Sequence, residues 1–257
     1  MAGRVEGKVA VITGGGTGIG RGIALMLAAE GAKVVVAARR EGPLADTVQR
    51  IREAGGEASY IRTDVKVEAD CKAMVDYTVA TYGRLDVLVS NAGMYPRREL
   101  PDLTQEIWDE TVDINLRGHF FCAKHTIPVM IAQGGGSIIF IGSVHGYTGG
   151  SDVLAYAAAK GGLWVMTRNL ARTFAPHHIR VNYINPGWVA SEGEVRHRRE
   201  LGYPDEWLEQ QGREFMPMGR LQMPEDTAYV CVLLASDEAT QITATRFNVD
   251  GGLSLIM

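Results

Sequence analysis

Long apolar runs are missing from this sequence. No run of 18 or more apolar residues occurs among its 257 residues, so no stretch has the length and apolarity of a membrane-spanning helix. The first residues, from Met1 to Gly7, also lack the apolar core of a secretory signal peptide. We therefore expect a cytoplasmic protein with no membrane partner.

The sequence also has few cysteines and no excess of basic residues over acidic ones. Cys71, Cys122 and Cys231 are far apart and lack the spacing of a zinc site, which indicates free thiols in a reducing compartment. The six histidines are dispersed, so we expect no metal site. A net charge of -4 argues against the clustered basic surface of a nucleic-acid-binding protein. These absences favour a small-molecule partner.

Strand-length apolar runs alternate with helical patterns along the chain, which predicts an α/β fold. No linker or low-complexity tract interrupts the alternation, so we expect one domain over residues 1–257. The run Lys8–Thr13 is followed by the glycine-rich segment Gly14–Gly20, a helix and a second strand, Lys33–Ala38. This order is typical of nucleotide binding, because glycines let the backbone approach a pyrophosphate at a helix N-terminus.

The end of the second strand bears on the choice of dinucleotide. An acidic side chain there would hydrogen-bond the ribose 2′-hydroxyl of NAD, but the strand ends in Ala38-Arg39-Arg40. A guanidinium suits a 2′-phosphate instead. The sequence therefore favours NADP, with NAD as the alternative.

Tyr156 and Lys160 are four residues apart in a helical pattern, so both side chains project from one face. A cation close to a phenol lowers its pKa from about 10, which predicts a tyrosine that exchanges protons near neutral pH. A buried strand that ends at Ser143 precedes this helix, and we expect Ser151 or Asp152 to cap the helix.

Pro186-Gly187 opens a charged segment that continues to about Met223. This is longer than an ordinary connection between a strand and a helix. We expect residues 188–223 to form a lid over the substrate, and we call them the lid segment.

Taken together, these motifs resemble the short-chain dehydrogenase/reductase family over nearly the whole chain. Thr13-Gly14 and Gly18-Ile19-Gly20 match its nucleotide turn, and Asn91-Ala92-Gly93 matches its fourth-strand motif. Its catalytic tetrad corresponds to Asn115, Ser143, Tyr156 and Lys160. The resemblance implies a Rossmann-type, doubly wound α/β fold with a seven-stranded parallel sheet, helices on both faces, and a homotetramer. Ser90 departs from the asparagine that is commoner in the family.

The resemblance also implies roles for single residues. Tyr156 would move the proton that accompanies hydride transfer, Ser143 would hold the substrate oxygen, and Lys160 would bind the nicotinamide ribose. Asn115 would keep a water in a proton relay. Together the turn and the resemblance predict dinucleotide contacts at Gly14, Thr17, Gly18, Ile19, Arg39, Asp64, Val65, Asn91, Tyr156, Lys160, Pro186, Gly187 and Val189.

Aromatic and polar residues are predicted to surround the reacting carbon, with substrate contacts from Tyr95, His145 and Trp188 above all. The wider set adds Arg97, Tyr147, Glu192, Trp207 and Phe215. This mixture favours a small polar substrate such as a sugar, a polyol or a hydroxylated ring.

The expected function is an NADP(H)-dependent oxidoreductase that interconverts a secondary alcohol and a ketone. One alternative keeps the enzyme but gives it a 3-oxoacyl thioester or a steroid-type ketone. Another is a nonenzymatic NADP-sensing regulator, which needs the nucleotide turn but not the four catalytic residue types. Because all four are present, the enzyme is favoured.

Overall fold

The structure, a computed structural model, describes residues 3–204 and 206–257. These residues form a seven-stranded parallel sheet with the strand order β3-β2-β1-β4-β5-β6-β7. The strands are β1 (Val9–Thr13), β2 (Lys33–Ala38), β3 (Ala58–Arg62), β4 (Val87–Ser90), β5 (Gly136–Ile141), β6 (Ile179–Pro186) and β7 (Arg246–Val249).

Helices connect the strands. They are α1 (Gly18–Ala29), α2 (Glu41–Glu53), α3 (Glu68–Tyr82), α4 (Gln105–Val112), α5 (Gly118–Ala132), α6 (His145–Thr148), α7 (Leu154–Phe174), α8 (Glu192–Glu200), α9 (Trp207–Phe215) and α10 (Pro224–Ala235). Within the described residues, no helix is both long enough and apolar enough to span a membrane.

Alternate side chains of the buried strands pack into two separate cores. In β2, Val34 and Val36 contact the core under α1, α2 and α10, whereas Val35 and Ala37 contact the core under α3, α5 and α7. This follows from the period of two along a strand, and it requires apolar residues at every position of a strand covered on both faces. The predicted sheet with helices on both faces is confirmed.

The strand order reverses at β1, which pairs with β2 on one side and β4 on the other. In such sheets, ligands bind beyond the carboxyl ends of the strands at this switch point. The ends of β1 and β4 are joined there by Thr13, whose hydroxyl accepts hydrogen bonds from the backbone N–H groups of Asn91 (2.9 Å) and Ala92 (3.0 Å).

Two local predictions were wrong. Neither Ser151 nor Asp152 caps α7, because the helix begins after Val153 and Asp152 instead pairs with Arg97 at 2.8 Å. The strand expected to reach Ser143 ends at Ile141, which leaves that serine in the loop after β5.

The three cysteines are free thiols and are buried, as predicted. Although far apart in sequence, Cys71 of α3 and Cys122 of α5 have their sulfur atoms 3.8 Å apart in the core between these helices.

We predict that Gly142→Ala destabilises the fold. A Cβ at this position would lie 2.0 Å from Cζ of Tyr183, which is 1% exposed and unable to move into solvent. Overpacking of this kind costs about 1–3 kcal/mol or more, so the free energy of unfolding measured in urea should fall by about 3 kcal/mol. Gly42→Ala in α2 is the control, because nothing lies within 4 Å of its added methyl group. Equal stability of the two variants would contradict the prediction.

Candidate active site

A cleft opens at the carboxyl ends of β1, β2 and β4. It is lined by the glycine-rich turn, by the segment after β2 that contains Arg39 and Arg40, and by Asp64 and Val65 after β3. Asn91 closes the cleft beside the turn, and its side-chain N–H donates to the Thr13 carbonyl at 2.9 Å.

The glycine-rich turn fits a dinucleotide because its backbone leaves no room for side chains. Gly14 and Gly18 have φ angles of +68° and +55°, in the left-handed region that favours glycine. A Cβ at Gly20 would lie 2.3 Å from the Gly14 carbonyl oxygen. The turn therefore packs tightly against the N-terminus of α1, where free N–H groups and the helix dipole attract phosphate.

A second cavity of about 710 Å³ adjoins the first, and Ile19, Asn91, Gly93 and Ser191 line both. A volume of this size accommodates a nicotinamide and a small ring together. Of the predicted cofactor residues, Gly14, Thr17, Arg39, Asp64 and Val65 line the first cavity, and Tyr156, Lys160, Pro186, Gly187 and Val189 line the second. Gly18 lies in the turn between them without lining either cavity.

Ser143, Tyr156 and Lys160 meet on the wall of the second cavity. The Ser143 hydroxyl interacts with the Tyr156 phenol and lowers its pKa in part. Lys160, which is 2% exposed, donates from Nζ to the Ile141 carbonyl at 2.8 Å, and its nitrogen lies 5.7 Å from the centroid of the Tyr156 ring. The i, i+4 spacing on α7 therefore places the two groups side by side, as predicted.

The predicted lowering of the Tyr156 pKa is wrong for this arrangement. Burial raises the pKa of the phenol to about 12, and the hydrogen bond from Ser143 offsets only part of the shift. Burial also lowers the pKa of Lys160 to about 7, so the cation that was expected to stabilise a phenolate is itself partly discharged at neutral pH. Burial is the largest cause of both shifts.

Asn115 is fully buried in a π-helical turn, Asp113–Arg117, between α4 and α5. Its side-chain N–H donates to the Met94 carbonyl at 2.9 Å, and its oxygen accepts from the Met94 N–H at 3.3 Å. A single amide thus holds the loop that follows β4. The turn interrupts the helical region between α4 and α5, and π-helical turns of this kind are frequent at functional sites.

Tyr95 and His145 form a hydrogen-bonded pair beside the Tyr156 ring. Nδ1 of His145 lies 2.6 Å from the Gly149 carbonyl, which only accepts, so in the neutral ring Nδ1 bears the proton. Nε2 then accepts from the Tyr95 hydroxyl at 3.1 Å. The Tyr95 ring makes an edge contact with Tyr156, with 4.8 Å between centroids.

The lid segment contains the helices α8 and α9, and an isolated parallel β-bridge between Val189 and Gln222 joins its two ends. Oε1 of Glu194 accepts hydrogen bonds from Trp188 Nε1 (3.0 Å) and Arg198 Nε (2.8 Å). The Arg198 guanidinium lies 5.0 Å from the ring of Trp207. This cluster lines the second cavity together with Tyr156.

Of the wider substrate set, Tyr95, Arg97, His145, Trp188 and Trp207 line the second cavity. Tyr147, Glu192 and Phe215 do not line it. The Tyr147 hydroxyl accepts from Asn248 on the β7 side, Glu192 pairs with Arg21, and Phe215 is exposed at the end of α9.

Sequence reasoning missed several lining residues, among them Ser191, Leu253 and Met257. Ser191 had a local signal, because a serine three residues before Glu194 is typical of a helix N-terminus, and its hydroxyl accepts from the Glu194 N–H at 3.2 Å. Leu253 and Met257 had none, since they reach the cavity only through the packing of the chain after β7.

Comparisons with known proteins agree with this geometry. A family model described as "Enoyl-(Acyl carrier protein) reductase" matches residues 14–254. An uncharacterized oxidoreductase of Thermotoga maritima is 41% identical, with 98% of each chain covered. The cis-4-hydroxycyclohexanecarboxylate dehydrogenase of Sinomonas cyclohexanicum is 38% identical, with 97% of each chain covered. The crystal structure of levodione reductase has a TM-score of 0.92 at 32% identity, over 99% of this chain and 100% of that one.

The chain belongs to the short-chain dehydrogenase/reductase family. It is therefore an enzyme, an NAD(P)-dependent oxidoreductase of the kind that acts on CH–OH groups. A short-chain dehydrogenase/reductase has a Rossmann-type sheet, and the strand order described above agrees with that architecture.

The lowered pKa of Lys160 predicts a pH-dependent stability. Between pH 7 and about 10.5 the unfolded chain binds a proton at this residue that the folded protein does not, so the free energy of unfolding rises with pH in that window. The slope from one group is about 1.4 kcal/mol per pH unit. Urea unfolding of the wild type and of Lys160→Met at several pH values measures it. If both proteins give the same slope, the lysine has an ordinary pKa.

Proposed function

We propose that this enzyme interconverts a secondary alcohol and a ketone on a small polar substrate, with NADP(H) as the hydride donor or acceptor. The observation that supports this most directly is the meeting of Ser143, Tyr156 and Lys160 on the wall of one cavity that adjoins the glycine-rich cleft. A carbonyl oxygen in that cavity would have the Ser143 and Tyr156 hydroxyl groups within reach, and the residues that line both cavities would hold a dinucleotide beside it.

In reduction, the Tyr156 phenol donates its proton to the oxygen that gains negative charge. A pKa of about 12 keeps the phenol protonated at neutral pH, which suits an acid in this direction. In oxidation, the same group must accept a proton, so its high pKa makes alcohol oxidation faster at alkaline pH.

Ser143 and Lys160 assist this transfer in different ways. The Ser143 hydroxyl, which lines the same cavity as Tyr156, holds the substrate oxygen beside the phenol. Lys160 is anchored to Ile141 and has two further N–H groups for a ribose hydroxyl when it is protonated. Asn115 shapes the loop at Met94 and keeps a water in the path of protons toward solvent.

The dinucleotide supplies the hydride, and the residues of this chain bind and orient it. The turn at Gly14, Thr17, Gly18 and Ile19 would hold the pyrophosphate at the N-terminus of α1. Asp64, Val65 and Asn91 would hold the adenine and its ribose, and Pro186, Gly187 and Val189 would hold the nicotinamide. This assignment is supported by the lining of the two cavities.

NADP is proposed over NAD because Arg39 is exposed at the edge of the first cavity, immediately after β2. A guanidinium at that edge forms charge-assisted hydrogen bonds with a 2′-phosphate and offers no acceptor to a 2′-hydroxyl.

A hydroxylated ring is the substrate class that the second cavity favours. Trp188, Trp207 and Tyr95 provide flat apolar walls for the faces of a ring, and Glu194, Arg198 and His145 provide polar contacts at its rim. The relative from Sinomonas cyclohexanicum is named for a substrate with a hydroxylated six-membered ring, which supports this choice.

The domain organisation and the assembly stay predictions. We propose one catalytic domain over residues 1–257 in which the lid segment covers the substrate. The family resemblance is the support for a homotetramer and for a cytoplasmic location.

The proposal is tested by following nicotinamide absorbance with NADPH and NADH against a panel of ketones. We expect the highest kcat/KM for hydroxylated cyclic ketones, ahead of open-chain sugars, 3-oxoacyl thioesters and steroids. Tyr156→Phe should lower kcat about 10²–10⁴-fold, because it removes the proton donor, while dinucleotide affinity stays within about threefold.

Each other result has a distinct meaning. A preference for thioesters or steroids would support the alternative substrates of the same family. Tight dinucleotide binding without turnover of any ketone would support the sensing regulator. Full activity of Tyr156→Phe would exclude the proposed proton donor.

Arg39→Asp should change the cofactor preference toward NADH by about 10- to 100-fold, since a charge-assisted hydrogen bond contributes about 1.5–3 kcal/mol. The measurement is the ratio of kcat/KM with NADPH to that with NADH. Arg172→Asp in α7 is the control, because it makes the same change of charge at an exposed residue that lines neither cavity. An unchanged ratio in Arg39→Asp would contradict the assignment.

A further inference from the structure

Arg21 has no part in the proposed chemistry, yet its guanidinium is buried. It lies in the first turn of α1, directly after the glycine-rich segment, and its side chain is only 10% exposed. Burying a charge is costly unless the charged group is paired and its donors are hydrogen-bonded. The partners of this side chain therefore indicate what its burial achieves.

Three of its contacts join the nucleotide turn to α2. Nη2 of Arg21 donates to the Gly16 carbonyl at 2.6 Å and lies 2.9 Å from Oδ2 of Asp46. Nε donates to the Thr47 hydroxyl at 3.2 Å. The conformation of the turn at Gly16 is thus tied directly to the position of this guanidinium.

The fourth contact reaches the lid segment. Nη1 of Arg21 lies 2.7 Å from Oε1 of Glu192, the first residue of α8, across 171 positions of sequence. The preceding residue, Ser191, lines both cavities, and its Cβ lies 3.3 Å from where a Cβ on Gly18 would be. The N-terminus of α8 therefore lies directly against the turn that would hold the pyrophosphate.

Glu192 does not need this contact to satisfy its charge. Its side chain is 51% exposed, and a carboxylate in the first turn of a helix already interacts favourably with the helix dipole. What the pair adds is a fixed position of α8 relative to the turn. Because Arg198 and Glu194 are on the same helix and line the second cavity, that position also determines the shape of the cavity wall.

We propose that Arg21 and Glu192 are positioning residues that couple dinucleotide binding to the docking of the lid segment. The inference rests on the proposed binding of a dinucleotide at the glycine-rich turn. Phosphate bound to the turn restrains Gly16, the Gly16 carbonyl restrains Arg21, and Arg21 holds Glu192 and with it α8. Coupling of this kind is reciprocal, so a substrate beneath the docked lid segment strengthens dinucleotide binding by the same factor.

The test is limited trypsin digestion with NADP⁺ or NAD⁺ as the probe. Arg196, whose side chain is 61% exposed, provides a cleavage site inside α8 together with Arg198 and Arg199. Cleavage within a helix requires local opening, so its rate reports how firmly α8 is docked. The cleaved bonds are identified by mass spectrometry, and dinucleotide binding is measured separately by calorimetry.

We expect a saturating dinucleotide to slow cleavage of the wild type about tenfold and of Glu192→Gln less than about twofold. Glu200→Gln is the matched control, since it makes the same change in the same helix at an exposed residue that pairs with Arg196 rather than Arg21. It should keep the protection of the wild type. Glu192 is half exposed, so its variant should fold, and thermal melting checks this. Arg21 variants are avoided because they would remove the buried donor to the Gly16 carbonyl and the Thr47 hydroxyl.

A kinetic measurement separates positioning from a merely structural role. Glu192→Gln should raise the KM for the ketone about tenfold and change kcat less than about twofold, because the lid segment contacts substrate and not the transferred proton. Glu200→Gln should change neither constant.

The outcomes distinguish this inference from the proposed function. Equal protection of Glu192→Gln and the wild type, or a wild type that binds dinucleotide without protection, would overturn the coupling alone. Loss of protection in Glu192→Gln without turnover of any ketone would support the coupling and overturn the proposed reaction. Failure of the wild type to bind either dinucleotide would overturn both.

Discussion

The hydrogen bond from the buried Lys160 to the Ile141 carbonyl joins the two segments that bear the reactive hydroxyl groups. One segment is α7, with Tyr156, and the other is the loop after β5, with Ser143. Because Lys160 is almost fully buried, leaving its amine without a partner would be costly, so the end of β5 and the second turn of α7 are held in register. Burial also disfavours the charged form of this amine, which lowers the pKa of Lys160.

The rest of the site depends on the sheet in a simpler way. Parallel strands present all their carboxyl ends at one edge, and the reversal of strand order at β1 opens a gap between two neighbouring connections. The Thr13 hydroxyl and the Asn91 amide close the bottom of this gap by bonding the ends of β1 and β4 to each other. The glycines above it leave backbone exposed where other residues would place side chains.

Much of this was readable from the sequence, because the deciding signals are local. Apolar runs of strand length, the glycines of the turn and the Tyr156/Lys160 spacing each depend on a few neighbouring residues, and the structure has all three. The pKa of Tyr156 was not predictable in the same way, since it depends on how much protein surrounds the phenol. The contact between Arg21 and Glu192 joins residues too far apart in sequence for any local pattern to indicate it.

The π-helical turn at Asp113–Arg117 has a consequence for how this region tolerates changes in length. An α-helix rotates by about 100° per residue, and a π-helical turn holds one residue more than an α-helical turn. The faces of α4 and α5 are therefore out of phase by one residue, and the extra residue directs Asn115 inward at the junction. Deleting a single residue here would restore a regular helix, yet it would rotate one half against the other and move the amide away from Met94. In this stretch, the number of residues matters as much as their identity.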